Sequence, residues 1–457
     1  MLYLKFKMPK KILILAALFL LLASAAWGEV REHVFPNGLK LLIVEDHKAP
    51  LAILQVWYRV GARDEEASIS GVSHLLEHMM FKGTRKYGPA DFSKTIQRNG
   101  GTDNAYTTKD STMYYETLSS DRIELALDLE SDRMQDLRLD PREILSERDV
   151  VMEERRMRYE DDPQTSLYEE VTATAYRVHP YRRPVIGWMS TIANITPEAL
   201  KRHYAAFYSP DNAVLVIAGD VDPQGTIKLV EKYFASIPKR PERLEEAHPA
   251  PSEPPQRGEK RLYLNKEAEL PHIMAAYHVP VLPDKDGYAL EVLAGILSGG
   301  KSSRLYSRLV YEKQLALESY ADYSGIHKDP FLFFLGGTPA AGHTAEELEK
   351  ALYDEMERIK KEPPTDFELQ KTKNQAESAF LMGQDSIHFQ AEILGMFEII
   401  GDWRLKEEYL KGLNEVTAED VSRAASKYLV PENRTVGILV PIKSEKTAEP
   451  VKGHHAH

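Results

Sequence analysis

A long-period repeat constrains the fold of this chain more than any other feature of its sequence. One copy starts at residue 195 and reads ITPEALKRHYAAFYSPDNAVLVIAGD; the other starts at residue 416 and reads VTAEDVSRAASKYLVPENRTVGILVP. In each copy a Thr precedes an Asn by 16 residues, from Thr196 to Asn212 and from Thr417 to Asn433, and the copies lie 221 residues apart. Each is typical of a helix, a Pro turn and an apolar strand. The matched spacing favours two homologous domains over a chance similarity.

The domain boundaries follow from a Pro-rich, charged stretch near the midpoint of the chain. KRPERLEEAHPAPSEPPQRGEK runs from Lys239 to Lys260 and is typical of a linker. We therefore predict an N-terminal domain at 29–240, a linker at 241–258, a C-terminal domain at 259–445 and a flexible tail at 446–457. Strand and helix patterns alternate irregularly in the chain, which indicates an α+β fold.

Three local predictions concern the N-terminal half. Asn37-Gly38 predicts a turn between two strands within EHVFPNGLKLLIVED. Ser73 is a plausible N-cap for a helix that contains HLLEHMMF. SERDVVMEERRMRYEDDP, which begins at Ser146, predicts a charged helix that stops at Asp162-Pro163.

The first 28 residues are typical of a secretory signal. Four lysines precede the apolar run ILILAALFLLLA, which is short for a membrane span, and the small residues of ASAAWG follow. An uncleaved anchor is the alternative; after cleavage no membrane span is expected. The chain has no cysteine, which excludes disulfides and thiol catalysis. Export without cysteine favours a bacterial periplasmic or extracellular protein.

The net charge bears on the choice of partner. The formal charge is −12 at pH 7, which argues against nucleic acid as the main partner. Peptides, proteins and small molecules remain open.

The segment GVSHLLEHMMFKGTRKYG, residues 71–88, places His74, Glu77 and His78 within five residues. In a helix, residues four apart lie on one face, so both histidines can bind one ion. Imidazole is a good zinc ligand, and Glu77 borders the same face, where it could accept a proton from water. The alternative is the solvated face of an ordinary helix.

A catalytic zinc needs a third protein ligand and one open position. The segment ERDVVMEERR offers Glu147, Glu153 and Glu154. Glu147 and Glu154 are seven apart and share a helical face, so one could bind the metal and the other a histidine. Spacing alone does not choose between them. Shifting the two histidines by the 221-residue offset gives GILSG, which has no metal ligand, so we expect one site per chain.

The chain resembles the pitrilysin/insulinase family of inverted-motif (H-x-x-E-H) zinc peptidases, and within it the two-domain chains similar to mitochondrial processing peptidase. The resemblance covers nearly all of the mature chain. The segments that carry it are GVSHLLEHMMFKGT, NGGTDNAYTTKDSTMYYET, ERDVVMEERRM, FYSPDNAVLVIAGD and LSGGKSSRLYSRL.

The resemblance assigns a role to each matching position. It implies that His74, His78 and Glu154 are the zinc ligands, that Glu77 is the general base, and that Glu147 is the acidic residue behind a ligand. It further implies that Asn104, Ala105, Tyr106 and Thr107 form an exposed strand that pairs with the substrate backbone.

The resemblance also implies an architecture. Each domain should contain a mixed, mainly antiparallel sheet covered by helices. Four such domains enclose a chamber in this family, so a two-domain chain must pair with another chain.

The sequence departs from the family pattern in its C-terminal half. Active members usually carry an Arg and a Tyr there, which hold the substrate and polarise its carbonyl. Here Tyr311 stands where the Arg would be and Leu317 roughly where the Tyr would be, while Arg308 and Tyr320 lie nearby but out of register. We therefore predict the zinc-bearing subunit of a heterodimer whose related, zinc-free chain supplies the Arg and Tyr. The alternative is a homodimer in which Arg308 or Tyr320 substitutes.

Taken with the signal-like N-terminus, the resemblance implies a secreted zinc endopeptidase that binds one Zn²⁺ per chain and hydrolyses peptides or small unfolded proteins. A non-catalytic scaffold or assembly subunit is the main alternative, although a scaffold has no physical need of Glu77. A metal-storage or sensing role, suggested by the HHAH tail at 454–457, is the third.

Overall fold

A computed structural model of the chain describes residues 29–239 and 250–442. The predicted signal segment at 1–28 and the predicted tail at 446–457 lie outside these residues, as does much of the predicted linker. Within the described ranges no helix combines the length and the apolar character that crossing a membrane requires.

The N-terminal domain is built on a six-stranded sheet in the order β1-β2-β6-β3-β5-β4. β2 pairs with β6 in parallel, and the other neighbours pair antiparallel. The strands are β1 Val30–Val34, β2 Lys40–Glu45, β3 Leu51–Tyr58, β4 Thr102–Thr107, β5 Thr112–Ser119 and β6 Ala213–Gly219. The helices are α1 Val72–Met79, α2 Asp91–Arg98, α3 Ile123–Gln135, α4 Pro141–Arg155, α5 Pro163–Ala175, α6 Met189–Ala193, α7 Pro197–Phe207 and α8 Pro223–Phe234.

The C-terminal domain repeats this plan with a five-stranded sheet in the order β7-β11-β8-β10-β9. β7 pairs with β11 in parallel, and the other neighbours pair antiparallel. The strands are β7 Lys260–Glu267, β8 His272–Val279, β9 Ala316–Asp322, β10 Phe331–Pro339 and β11 Arg434–Ile442. The helices are α9 Lys285–Ser298, α10 Ala345–Lys361, α11 Asp366–Gly383, α12 Ile387–Ile400, α13 Leu405–Glu415 and α14 Ala418–Tyr428. The predicted α+β fold with two homologous, mixed and mainly antiparallel sheets is therefore confirmed; the predicted boundaries stay predictions.

The sequence repeat is preserved in the details of the structure. Thr196 and Thr417 are the N-caps of α7 and α14, and each hydroxyl accepts a backbone N–H of the first turn. Asn212 and Asn433 each donate a side-chain amide to the carbonyl of the last residue of the preceding helix, both at 2.9 Å. The same hydrogen bonds therefore fix the passage from helix to strand in both domains.

Each domain contributes one helix that packs on the sheet of the other domain. α12 of the C-terminal domain packs on β3 and β6 of the N-terminal sheet, and α5 of the N-terminal domain packs on β8 and β11 of the C-terminal sheet. The contacts are close at two glycines. A Cβ at Gly395 of α12 would lie 2.1 Å from Trp57, and one at Gly437 of β11 would lie 2.3 Å from Val171 of α5. Each domain thus closes one face of the other domain's sheet.

The local predictions had mixed outcomes. The turn at Asn37-Gly38 is confirmed, with Gly38 at φ 87° between β1 and β2. The Ser73 N-cap is wrong, because α1 begins at Val72 and its N-cap is Gly71, two residues before Ser73. The helix predicted to stop at Asp162-Pro163 does end before Asp162, but it begins at residue 141 and its last turn, 156–160, is a π-helix.

Candidate metal centre

Helix α1 presents two histidines on one face because its other face is apolar. Leu75, Leu76 and Met79 are fully buried in the N-terminal core, which fixes the rotation of the helix about its axis. His74 and His78 are only partly exposed, and their ring centroids are 4.8 Å apart. The i, i+4 spacing therefore brings the two imidazoles together, as the sequence predicts.

The start of α1 is held by a carboxylate from outside the helix. The Glu65 side chain accepts the backbone N–H groups of Gly71 and Ser73, both at 2.8 Å. Ser73 instead directs its hydroxyl at His203, 3.1 Å from Nε2. Gly71 has φ 100°, and a Cβ there would lie 2.4 Å from the Ile186 carbonyl oxygen. Glu65 thus accepts the N–H groups at the start of α1, which the sequence pattern predicts Ser73 to cap.

Glu154, near the end of α4, meets both histidines. Its Oε2 lies 3.4 Å from His78 Nε2 and 3.9 Å from His74 Nε2. Ligand atoms of the three residues all lie within 4.8 Å of one another. Glu153 points away, pairs with Arg156 and has a side chain 59% exposed. Of the three candidates left open by spacing, Glu154 is the one that the structure places with the histidines.

The donor set fits a zinc ion. Tetrahedral zinc with bonds of about 2.0–2.2 Å separates its ligand atoms by roughly 3.3–3.6 Å, so the 3.4 Å from His78 to Glu154 needs no change and the 3.9 Å from His74 needs a small one. His74 Nδ1 is buried and has no hydrogen-bond partner among the described residues. Two imidazoles and one carboxylate leave one coordination position open, as a catalytic site requires.

A carboxylate stands behind one of the two histidines. Glu147 Oε1 lies 3.0 Å from His78 Nδ1, and Glu147 Oε2 accepts Lys82 Nζ at 2.5 Å. This pairing leaves Nε2 of His78 as the nitrogen that faces Glu154. Fixing the orientation and tautomer of a ligating histidine is what such a carboxylate does in zinc sites.

The pKa values of the two imidazoles are shifted in opposite directions. Burial, together with the charge of His78, lowers the pKa of His74 to about 4. For His78 burial acts downward, but the hydrogen bonds to Glu147 and Glu154 outweigh it and raise the pKa to about 9. The hydrogen bond from His78 also lowers the pKa of Glu154. At neutral pH His74 is therefore unprotonated beside an ionised Glu154, whereas His78 keeps a proton that a bound cation would displace.

Glu77 lies beside this group without joining it. Its Oε2 accepts the Thr107 hydroxyl at 2.6 Å. Burial raises the pKa of Glu77 above its ordinary value. A carboxyl with a raised pKa and one oxygen anchored is suited to taking up and returning a proton.

Thr107 belongs to the strand that the resemblance assigns to substrate. β4 ends the N-terminal sheet and pairs with β5; no other described strand pairs with its outer edge. Asn104 is exposed, whereas Ala105, Tyr106 and Thr107 are partly buried. The strand therefore has an outer edge that no described strand pairs with, and its last residue contacts Glu77.

The C-terminal residues named for the Arg and Tyr positions are either exposed or paired within the C-terminal domain. Tyr311 is 75% exposed and Leu317 is 55% exposed. Arg308 Nη1 pairs with the buried Glu355 at 3.4 Å, and the Tyr320 hydroxyl lies 3.2 Å from His272 Nε2. Arg308 and Tyr320 are thus engaged within their own domain.

The structure adds residues that sequence reasoning missed. Glu65 holds the start of α1, Lys82 pairs with Glu147, and Glu392 of α12 accepts the Tyr106 hydroxyl at 3.1 Å. Lys82 lies beyond the end of α1 at Met79, so no helical spacing in the sequence signals its contact with Glu147. Nothing in the sequence signals the contact of Glu392, which comes from the other domain.

Comparison with known proteins agrees with these observations. The sequence model of the insulinase family (peptidase family M16) matches residues 40–188, and that of the peptidase M16 inactive domain matches residues 194–376. The chain is 33% identical over 410 residues to the zinc protease PqqE of Helicobacter pylori, covering 89% of this chain and 91% of that protein. It is 27% identical over 413 residues to the zinc protease YmxG of Bacillus subtilis, covering 90% and 98%.

Solved structures show the same architecture. The crystal structure of a protease from Helicobacter pylori aligns with a TM-score of 0.86 at 32% identity, covering 91% of this chain and all of that chain. The M16-like peptidase of Alicyclobacillus acidocaldarius aligns with a TM-score of 0.79 at 22% identity, covering 91% and 99%; at that identity the likeness shows the fold alone. The fold and the histidine-containing half thus both have counterparts among proteases.

Proposed function

This chain belongs to the insulinase family of peptidases, family M16, and on that premise we propose that it is a secreted zinc endopeptidase that hydrolyses peptides or small unfolded proteins. The observation that carries the proposal is the convergence of His74, His78 and Glu154 with Glu77 at their side. A scaffold would need neither the ligand set nor a proton-accepting carboxyl anchored next to it.

The proximity of the three side chains supports the ligand assignment in this proposal. His74, His78 and Glu154 would hold one Zn²⁺ per chain, and Glu147 would orient His78 through Nδ1. When bound, the ion would supply Lewis-acid chemistry: it would lower the pKa of water toward about 7 and polarise the substrate carbonyl. The remaining chemistry falls to side chains of the chain itself.

Glu77 is the proton carrier in this proposal. The hydrogen bond from Thr107 orients the carboxylate, which accepts a proton from the attacking water. The same group then returns the proton to the leaving amine. General base catalysis of this kind contributes about 10²- to 10⁴-fold to the rate.

The substrate lies along β4 in this proposal. A peptide in extended form pairs its backbone with the free edge at Asn104, Ala105, Tyr106 and Thr107, next to Glu77. Main-chain hydrogen bonds of this type give affinity with modest sequence preference. This arrangement fits substrates that present an extended segment, such as peptides and unfolded proteins.

We further propose that a second, related chain completes the site. The proposal rests on Arg308 and Tyr320, which are engaged within their own domain, and on Tyr311 and Leu317, which cannot replace an Arg and a Tyr chemically. A heterodimer with a zinc-free chain carrying the Arg and Tyr is expected; a homodimer is the alternative. The signal-like first 28 residues and the absence of cysteine support a periplasmic or extracellular location in this proposal.

The deciding experiment compares Glu77→Gln with the wild-type mature chain on a mixed peptide library, with and without any related chain that co-purifies. Glu153→Gln is the matched control, since Glu153 is an exposed neighbour of the ligand Glu154. We expect one zinc per chain in all three proteins, and loss of cleavage in Glu77→Gln alone. Cleavage that survives in Glu77→Gln would refute the proposed role of Glu77. Zinc binding without hydrolysis, alone or with the partner, would leave the scaffold as the better account.

A further inference from the structure

The side chains of β4 face two different domains. Successive side chains of a strand point to opposite faces of its sheet. Thr107 donates to Glu77 of α1, and Asp103 accepts the hydroxyl of Ser93 in α2, so the odd-numbered positions face helices of the N-terminal domain. Tyr106 points the other way and meets α12 of the C-terminal domain. The strand therefore lies between the metal-site helices and a helix of the other domain.

The contact on the α12 side is specific. The Tyr106 hydroxyl donates to Glu392 Oε1 at 3.1 Å, and its ring meets the Trp57 indole edge to face, with centroids 5.9 Å apart. One strand further in, the Tyr115 ring meets His388 edge to face at 4.6 Å. Burial and the Glu392 carboxylate hold the pKa of Tyr106 well above its ordinary value, so the phenol remains a donor.

The contact between Tyr106 and α12 matters because β4 is an edge strand. β5 holds it along one side only, and its outer edge must stay free if a peptide is to pair there. The position of the strand is then set by what lies above and below it. On one face Thr107 bonds to Glu77 of the N-terminal domain. On the other face Tyr106 bonds to Glu392, which belongs to the C-terminal domain.

We propose that Glu392 is a positioning residue for substrate: through the Tyr106 hydroxyl it holds β4 at the place where a peptide backbone pairs beside Glu77. The inference rests on the proposed peptidase function and deepens it. The C-terminal domain thereby takes part in substrate binding by the catalytic half of its own chain, in addition to closing the sheet.

The test uses variants that change the hydrogen bond and little else. Tyr106→Phe keeps the ring against Trp57 and removes the donor, Glu392→Ala removes the acceptor, and Glu392→Gln keeps an acceptor. Tyr115→Phe is the matched control, since Tyr115 lies on the neighbouring strand and also faces α12. All are made in the full mature chain, with its partner chain if one is required.

The kinetic result expected is a split between KM and kcat. KM for peptide should rise about three- to tenfold in Tyr106→Phe and in Glu392→Ala, with kcat and zinc content close to wild type. Glu392→Gln and Tyr115→Phe should keep a KM close to wild type. The double variant Tyr106→Phe/Glu392→Ala should show the KM of either single variant, because both remove one bond. Unchanged KM in Tyr106→Phe, or an additive double variant, would overturn the inference.

A second readout needs no substrate and separates this inference from the proposed function. Amide hydrogen exchange at residues 102–107, and at the β5 amides that bond to them, should accelerate about three- to tenfold in Glu392→Ala. Exchange at 213–219 should stay as in the wild type, because β6 does not pair with β4. If the chain hydrolysed no peptide, faster exchange confined to this strand pair would still establish that Glu392 supports β4. Exchange at β4 equal to that of the wild type would refute it whatever the activity.

Discussion

Replacing Gly395 with Ala tests the exchange of helices between the two domains. Gly395 lies in α12, where it contacts the N-terminal sheet. A Cβ built there would lie 2.1 Å from Trp57 Cε2 and 2.2 Å from Nε1. Non-bonded carbon atoms prefer separations of about 3.5–4.0 Å, so helix and indole would have to move apart by roughly 1.4 Å.

The Trp57 indole is held in place by burial and by a hydrogen bond. Trp57 is 1% exposed, and its Nε1 donates to Gln55 Oε1 at 2.9 Å. Gln55 in turn donates to the backbone carbonyl of His388 in α12, at 3.3 Å. Overpacking of this kind costs about 1–3 kcal/mol, and a strained or lost hydrogen bond adds about 1 kcal/mol. Ala gains up to about 1 kcal/mol over Gly in a helix. The net expectation is a loss of about 1–3 kcal/mol.

Urea unfolding followed by tryptophan fluorescence measures the effect, with Gly258→Ala as the matched control. A Cβ at Gly258 would meet nothing within 4 Å, so the same chemical change there should leave the midpoint close to wild type. We expect a lower midpoint for Gly395→Ala. A midpoint equal to or above that of the wild type would mean that helix propensity outweighs the contact, and would refute the close packing of α12 on Trp57.

Three further predictions concern the site and its support. Glu147→Gln should weaken zinc binding by about 10- to 100-fold because His78 loses an ionised partner, as competition with a chromogenic chelator would show; unchanged affinity would contradict this role. Zinc at 100 times its Kd should stabilise the metal-free chain by about 2.7 kcal/mol, and thermal melts of Glu154→Gln should lack that response. Burial raises the pKa of Glu65 to about 7 from 4.5. The native state therefore holds this proton more tightly, so the stability it contributes is present below about pH 4.5 and lost as the pH rises through 7. Glu65→Gln should flatten that loss in urea midpoints measured from pH 5 to 8, and an unchanged slope would exclude Glu65 as its source.

The sequence predicted what depends on short-range spacing. The i, i+4 histidines of α1, the Asn37-Gly38 turn and the repeated passage from helix to strand all follow from residues close together in the chain. The third ligand did not follow from spacing, because Glu147 and Glu154 share one face of α4. The structure separates them: Glu147 meets Nδ1 of His78, and Glu154 meets Nε2.

Long-range contacts were beyond the sequence for a physical reason. Hydrophobic periodicity shows that a helix has an apolar face, but it does not show which sheet that face will cover. The sequences of α5 and α12 therefore do not show that each helix covers the sheet of the other domain. The Ser73 error has the same origin. A buried carboxylate six residues before Gly71 satisfies the N–H groups at the start of α1, and no local motif announces it.

The exchange also explains why a half without metal ligands is physically tied to the half that has them. Trp57, Val214 and Val216 of the N-terminal sheet are buried against α12, so a chain that ended after the N-terminal domain would expose an apolar sheet face to water. The same helix carries Glu392, which reaches the strand beside Glu77 through Tyr106. A copy of the repeat that has no metal ligands cannot bind a metal, but it still makes the packing contacts between the domains. The copy without ligands still closes the sheet and supports the strand on which the proposed chemistry depends.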